Sequence, residues 1–205
     1  KQYHLNRVLV HQSVEYQCAE QPIRPVEPGS ILLLNQHISP ERTDQRHLTL
    51  DYENAVRLAL EHLIRCGHTN ITILGGNLNH CCYEQIIRAL EWCSKHYSVR
   101  LNQDNVVWFN GDQYTETLES GSIGTAVLSV GAPGIMAVTN YCFASGSRIP
   151  DDFSWVAIDD DDFIRGYNPT VTYVRLDPEA FRSVLEHGDD PEKRIICTPE
   201  LVIRH

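Results

Sequence analysis

The chain has 205 residues, 42% of them hydrophobic and 21% charged. That is ordinary globular composition, apolar enough for one large domain or two lobes and too apolar for a disordered chain. Seventeen Lys and Arg against 27 Asp and Glu give a formal charge of −10, which repels phosphate backbones and argues against a direct grip on nucleic acid. No apolar run approaches the roughly 18 residues of a membrane span, and the opening KQYHLNRVLVHQ does not read as a secretory signal.

In chain order, RVLV (7–10) and ILLL (31–34) are strand-like, with Pro22, Pro25 and Pro28 and no convincing helix between them. DYENAVRLALEHLIRCGH then repeats apolar residues every three or four positions, with alternating charge on the other side, and predicts a helix. Asp51 can cap its start and Gly67 can take the left-handed exit. NITILGG reads as a buried strand, YEQIIRALEWCSKHY as a second helix, and VVWF (106–109) as a strand. ETLESGSIGTAVLSV reads as a helix softened by Gly121 and Gly124, and IMAVT (135–139) and WVAI (155–158) as further strands. Strands alternating with helices predict an α/β fold with a parallel sheet covered on both faces. The link between IMAVT and WVAI is too short for a usual parallel crossover. With the proline-rich link near the start, it suggests that segments are absent from the chain.

Ligands of open parallel sheets bind beyond the carboxyl ends of the strands. The residues expected there are Asn35 and Gln36, Asn77, Asn79 and His80, Asn110, Asp112, Gln113 and Tyr114, Asn140 and Tyr141, and Asp159 with the acidic run Asp160, Asp161 and Asp162. Amides, a carboxylate, a histidine and a tyrosine suit a hydroxyl-rich guest. For Asp159 a ligand contact and a solvated turn fit equally well, whereas Asp160–Asp162 read as loop or capping residues.

Four stretches then carry a family likeness. DYENAVRLALEHLIRCGHTNITILGG resembles the helix–strand opening of the effector-binding domain in the lactose-repressor/galactose-repressor family of bacterial transcription regulators. SRIPDDFSWVAIDD, NPTVTYVRLDP and TPELVIRH are similar to later motifs of that family, in the same order, covering about residues 28 to 205. The resemblance implies a two-lobed periplasmic-binding-protein type I architecture. Residues 1–50 and 175–190 would form an incomplete N-terminal lobe, and 51–174 and 191–205 the C-terminal lobe. It also implies a small-molecule effector, a sugar or sugar derivative, a homodimer in the cytoplasm, and operator DNA reached only through a helix-turn-helix domain not in this chain. Asp159 matches the first residue of the family's Asp pair. Asn140 matches the Asn of an Asn-Asp pair, with Tyr141 in place of the Asp. His80 and Cys82 fall in the loop after Gly-Gly, where an expected arginine has no match, and Leu176 replaces a polar pocket residue. Asp159, Asn140, His80, Asn77, Asn35 and Tyr114 are therefore the candidate ligand contacts.

Other chemistries find less support. His80-Cys81-Cys82 with Cys93 lacks the second half of a zinc site. The acidic run lacks the glycine and distal glutamate of a calcium loop. SGSIG is no nucleophile elbow, and Gly75-Gly76 begins no dinucleotide fingerprint. Neither a catalytic constellation nor a cofactor is expected. The seven cysteines, odd in number and with Cys81 and Cys82 adjacent, fit a reducing compartment better than a disulfide framework. A solute-binding protein of a sugar transporter, built on the same fold, is the alternative.

Overall fold

The structure, a computed structural model, describes residues 8–11, 31–34, 47–76, 83–109, 113–121, 123–158, 162–167, 171–176 and 194–204. In chain order these form β1 (Val8–His11), β2 (Ile31–Leu34), β3 (His47–Leu50), α1 (Tyr52–Arg65), β4 (Ile71–Leu74) and α2 (Tyr83–Tyr97). There follow β5 (Val106–Val107), α3 (Gln113–Glu119), β6 (Ala126–Val130), α4 (Gly131–Ser145) and β7 (Ser154–Ile158). The chain ends with α5 (Asp162–Gly166), β8 (Thr172–Leu176), β9 (Arg194–Cys197) and β10 (Pro199–Val202). Two compact units result, one of Lys1–Asp51 with Asp177–Thr198, the other of Tyr52–Leu176 with Pro199–His205.

In the first unit the described strands form a parallel sheet in the order β1-β2-β3-β9. Two boundaries expected from the sequence shift here. β9 pairs in parallel with β3, so 194–197 sit in this sheet rather than with the C-terminal lobe. β8 pairs with β7, so 175–176 belong to the other sheet. The proline-rich link between β1 and β2 lies outside the described residues.

The second unit is built on a sheet of order β10-β8-β7-β6-β4-β5, parallel except for β10. Its central strands are buried on both faces, which is why they read as unbroken apolar runs. Ile71, Ile73, Leu128, Val156 and Ile158 point toward α1 and α2, packing on Val56, Leu60, Leu63, Ile86 and Leu90. Leu74, Val127, Trp155 and Ala157 point the other way, toward Tyr114 of α3, Ile135 and Val138 of α4 and Ile164 of α5. Each fully buried Leu or Ile in these layers contributes about 1.5–3 kcal/mol.

α1 ends as its sequence predicts. Gly67, at φ 94°, lets its amide donate to the Ile64 carbonyl (2.9 Å) and that of His68 to the Leu63 carbonyl (3.1 Å), which satisfies carbonyls the helix leaves open. Arg88 of α2 pairs with Glu53 of α1 at 2.8 Å, and Gln85 Oε1 accepts from the Glu53 amide at 3.2 Å.

Two expected elements are corrected. ETLESGSIGTAVLSV is not one helix: α3 stops at Glu119, Gly121 turns with φ 69°, and AVLSV is the fully buried strand β6. IMAVT is not a strand but the middle of α4, with Ile135, Val138, Thr139 and Cys142 buried at helical spacing. Pro133 is tolerated because the first turn of a helix has no partner for its missing N–H. These changes supply the crossover that seemed too short, since α4 joins β6 to β7, and nothing needs to be missing between them. VVWF is also shorter than expected: only Val106 and Val107 are strand, and Trp108 and Phe109 lie beyond it.

Candidate functional site

From β4 the chain moves outward to β5, and from β6 it moves the other way, to β7 and β8. The adjacent pair β4–β6 is therefore the switch point, where the connections leave in opposite directions and a crevice opens at the carboxyl ends. Among the described residues, what stands there is largely backbone. β4 runs into Gly75-Gly76 and β6 into Gly131, with φ of 79° at Gly76 and 75° at Gly131, a conformation side-chain-bearing residues rarely adopt. Gly134, in the first turn of α4, seats that helix against the strand ends, since a Cβ there would lie 3.1 Å from Ser129 Cβ and 3.3 Å from Leu74 Cβ.

Tyr114, on α3, is the candidate contact that the structure places at this crevice. It is 2% exposed, and the Gly76 amide donates to its hydroxyl at 2.8 Å. Its first role is to fix the Gly76 turn from below. Asn140 is not at a strand end. It is exposed on α4, nine residues past Gly131 and so about 13 Å along the helix from the carboxyl edge. The strand that ends at the switch point is followed by Gly131-Ala132, so neither an amide nor a carboxylate side chain follows β6. Asp159, His80, Asn77 and Asn35 lie outside the described residues, as do Asn79, Asn110 and Asp112.

Two residues not singled out from the sequence stand at this edge, Trp108 and Phe109. The Phe109 amide donates to the Gly76 carbonyl at 2.6 Å, and the Gly75 amide to the Val107 carbonyl at 3.0 Å, so β5's exit is tied to β4's. Their apolar character hid them inside the VVWF run. Behind the site, Trp155 Nε1 donates to Ser129 Oγ at 2.9 Å, which satisfies two buried polar groups at once.

Among the described residues no three His, Cys, Asp or Glu side chains stand close enough to hold a metal ion. Cys93 is a core residue: burial pushes its thiol up to about 12, Glu61 adds to the effect and Arg57 opposes it. The Cys142 thiol is likewise raised by burial. At the opposite, amino edge of the sheet, His68 reaches Thr125 Oγ1 and Ser154 Oγ, both at 2.9 Å. Burial lowers its pKa, and burial followed by the charge of His68 lowers that of His62.

A family profile described as periplasmic binding protein-like domain matches residues 60–205. The chain belongs to that family. Among curated proteins it is 31% identical over 170 residues to the HTH-type transcriptional repressor PurR of Haemophilus influenzae (strain PittGG), covering 72% of this chain and 49% of that protein. The namesake repressor of Vibrio vulnificus (strain CMCP6) is 27% identical over 161 residues, covering 72% and 48%. The chain thus spans about half the length of the curated relatives it matches. Among solved structures, a LacI-family transcriptional regulator from Enterococcus faecium with bound ribose superposes with a TM-score of 0.66 at 16% identity, over 85% of this chain and 68% of that one. A likeness at that identity is one of fold. The likeness to the lactose-repressor/galactose-repressor family read from the motifs therefore stands, as does the α/β periplasmic-binding-protein-like fold. The curated relatives are named as transcriptional repressors. No helix among the described residues is long and apolar enough to cross a membrane.

Proposed function

We propose that this chain is the effector-sensing and dimerisation module of a bacterial LacI-type transcription regulator, with a sugar or sugar derivative as its ligand. The observation that carries the reading is the switch point between β4 and β6, where Gly76 and Gly131 turn the chain, in a chain whose curated relatives are HTH-type transcriptional repressors. Asp159, which follows β7 in the sequence, is a carboxylate that can accept hydrogen bonds from hydroxyls. Operator DNA is then contacted by another part of the protein, since a surface of charge −10 is not suited to it. Residues 1–50 belong to the N-terminal lobe and residues 52–174 to the C-terminal lobe, and the protein works in the cytoplasm. Signalling requires the effector to bind the two functional states with different affinity.

The homodimer is supported by α4. Met136 is 63% and Phe143 80% exposed, and with Asn140 they fall on one side of a helix containing no Asp, Glu, Lys, Arg or His. Two copies of a strongly acidic chain repel one another over most of their surface, so an uncharged apolar helix face is where they can meet. In this arrangement Asn140 belongs to a subunit contact and not to the ligand.

The test is operator binding by the full-length gene product, measured with and without candidate sugars. One of them is expected to shift operator affinity, and Asp159→Ala to remove the shift while operator binding persists. Phe143→Glu is expected to give monomers in sedimentation. An operator affinity indifferent to every sugar, together with an unaffected dimer, would remove this reading.

A further inference from the structure

Arg204, in the stretch TPELVIRH, makes contacts that its strand does not need. β10 ends at Val202, yet two residues further on the chain is still held to β8. The Arg204 amide donates to Thr172 Oγ1 at 3.2 Å, and its guanidinium lies over the Tyr173 ring, 5.3 Å from the centroid. From there Nη1 reaches α5 and donates to the Arg165 carbonyl at 2.9 Å. The last carbonyls of a helix have no partner within it, and a cation beside them is favoured by the helix dipole as well as by the hydrogen bond. α5 has only five residues, far too few for a helix to persist by itself, so it stands by its anchors. Ile164 is fully buried in the core. Tyr167, just beyond the helix, sets its ring edge-on to Trp155 with centroids 5.5 Å apart. Arg204 is the third anchor, and the one that comes from another strand's exit.

What α5 governs is the segment before it. β7 ends at Ile158 and α5 begins at Asp162, so Asp159, Asp160 and Asp161 join the two. Three residues add at most about 11 Å of reach, and where α5 sits therefore limits where Asp159 can be. Resting on the reading of Asp159 as an effector contact, we propose that Arg204 is a positioning residue of the effector site. Through the Arg165 carbonyl it fixes α5, and through α5 it fixes the carboxylate at position 159. It does not touch the guest: Thr172 opens β8, so Arg204 stands at the amino end of that strand, away from the carboxyl edge. Its bond to Arg165 lies at the surface, so losing it loosens α5 locally while leaving the global fold nearly as stable. A tie that served the fold alone would act alike whatever stood at position 159.

The experiment titrates the full-length gene product with free aldopentoses and aldohexoses by calorimetry, in four forms: the parent, Arg204→Met, Asp159→Asn and the double variant. Met keeps apolar bulk over Tyr173 and removes both the donor and the charge. Arg204→Met is expected to weaken binding about tenfold in the parent background, with the melting temperature of the unliganded protein nearly unchanged. In the Asp159→Asn background the same change is expected to weaken binding less than about twofold, because groups that act through one another are not additive. Arg204→Lys, which keeps a cationic donor, should stay within about threefold of the parent. Should Arg204→Met melt early, Arg204→Gln, which keeps a neutral donor, takes its place in the same cycle. An equal loss in both backgrounds, or none in either, overturns the positioning role, while a loss on Asp159→Asn keeps the effector site. Sugar binding that Asp159→Asn leaves unchanged overturns the reading of position 159 and this inference with it, and so does binding by none of the sugars.

Discussion

His68 shows how a single side chain is placed by the end of a helix. The left-handed turn at Gly67 delivers it to the amino edge of the sheet, where its two ring nitrogens meet Thr125 of the β6 approach and Ser154 of β7. Because burial lowers its pKa below 6.5, the unfolded chain takes up a proton before the folded one does. The same sign holds for His62, lowered by burial and by His68. Stability carried by these groups is therefore complete above about pH 6.5 and erodes as pH falls from there toward the depressed folded values. Urea midpoints are expected to drop between pH 7.5 and 5.0, and His68→Gln to show a smaller drop than the parent. Equal acid sensitivity in the two proteins would contradict the assignment. Gly124 makes a sterically simpler case. Its amide donates to Thr72 Oγ1 at 3.1 Å, and a Cβ there would run into the backbone carbonyl of Asn70. Gly124→Ala should destabilise by about 1–3 kcal/mol, the usual range for overpacking against atoms that cannot move aside, as read from the denaturant midpoint.

At the scale of elements, legibility in the sequence followed how one-sided each segment is. α1 and α2 have one apolar and one charged face, and their spacing places them within a residue or so of their observed limits. β6 and α4 share no such signal. β6 is buried on both faces, and α4 has apolar residues on its outer side as well as its inner one, so neither period stands out. AVLSV could extend a helix, and the β-branched Ile135, Val138 and Thr139 could form a strand. Only the hydrogen-bonded order β4-β6-β7 separates the two readings. The exchange moves Asn140 from a strand end to the outside of a helix, and Gly131 takes the place at the crevice. Tyr114 drew attention because it follows a polar stretch of sequence, whereas Trp108 and Phe109 were absorbed into an apolar run that stops being strand at Val107. One consequence is testable by calorimetry: Asn140→Ala should leave effector affinity within about twofold of the parent. A tenfold loss would mean that the outer side of α4 reaches the ligand.

For the whole molecule, ligand binding and stability are one quantity seen from two sides. A ligand that binds only folded protein adds RT ln(1 + [L]/Kd), about 2.7 kcal/mol at a hundredfold excess over Kd. A chain of this size moves by roughly 2–4 °C per kcal/mol, so saturation should raise the melting temperature by roughly 5–10 °C. Among the described residues, Gly76 and Gly131 offer only backbone at the switch point, which no substitution removes without disturbing the turns. The side chain on which the rise is tested is therefore Asp159, which follows β7 in the sequence. Asp159→Ala is expected to keep the melting temperature of the unliganded protein within a degree or two and to lose most of the ligand-induced rise. Were the rise to survive intact in that variant, the hydrogen-bonding half of the proposed site would have to be sought away from the carboxyl end of β7.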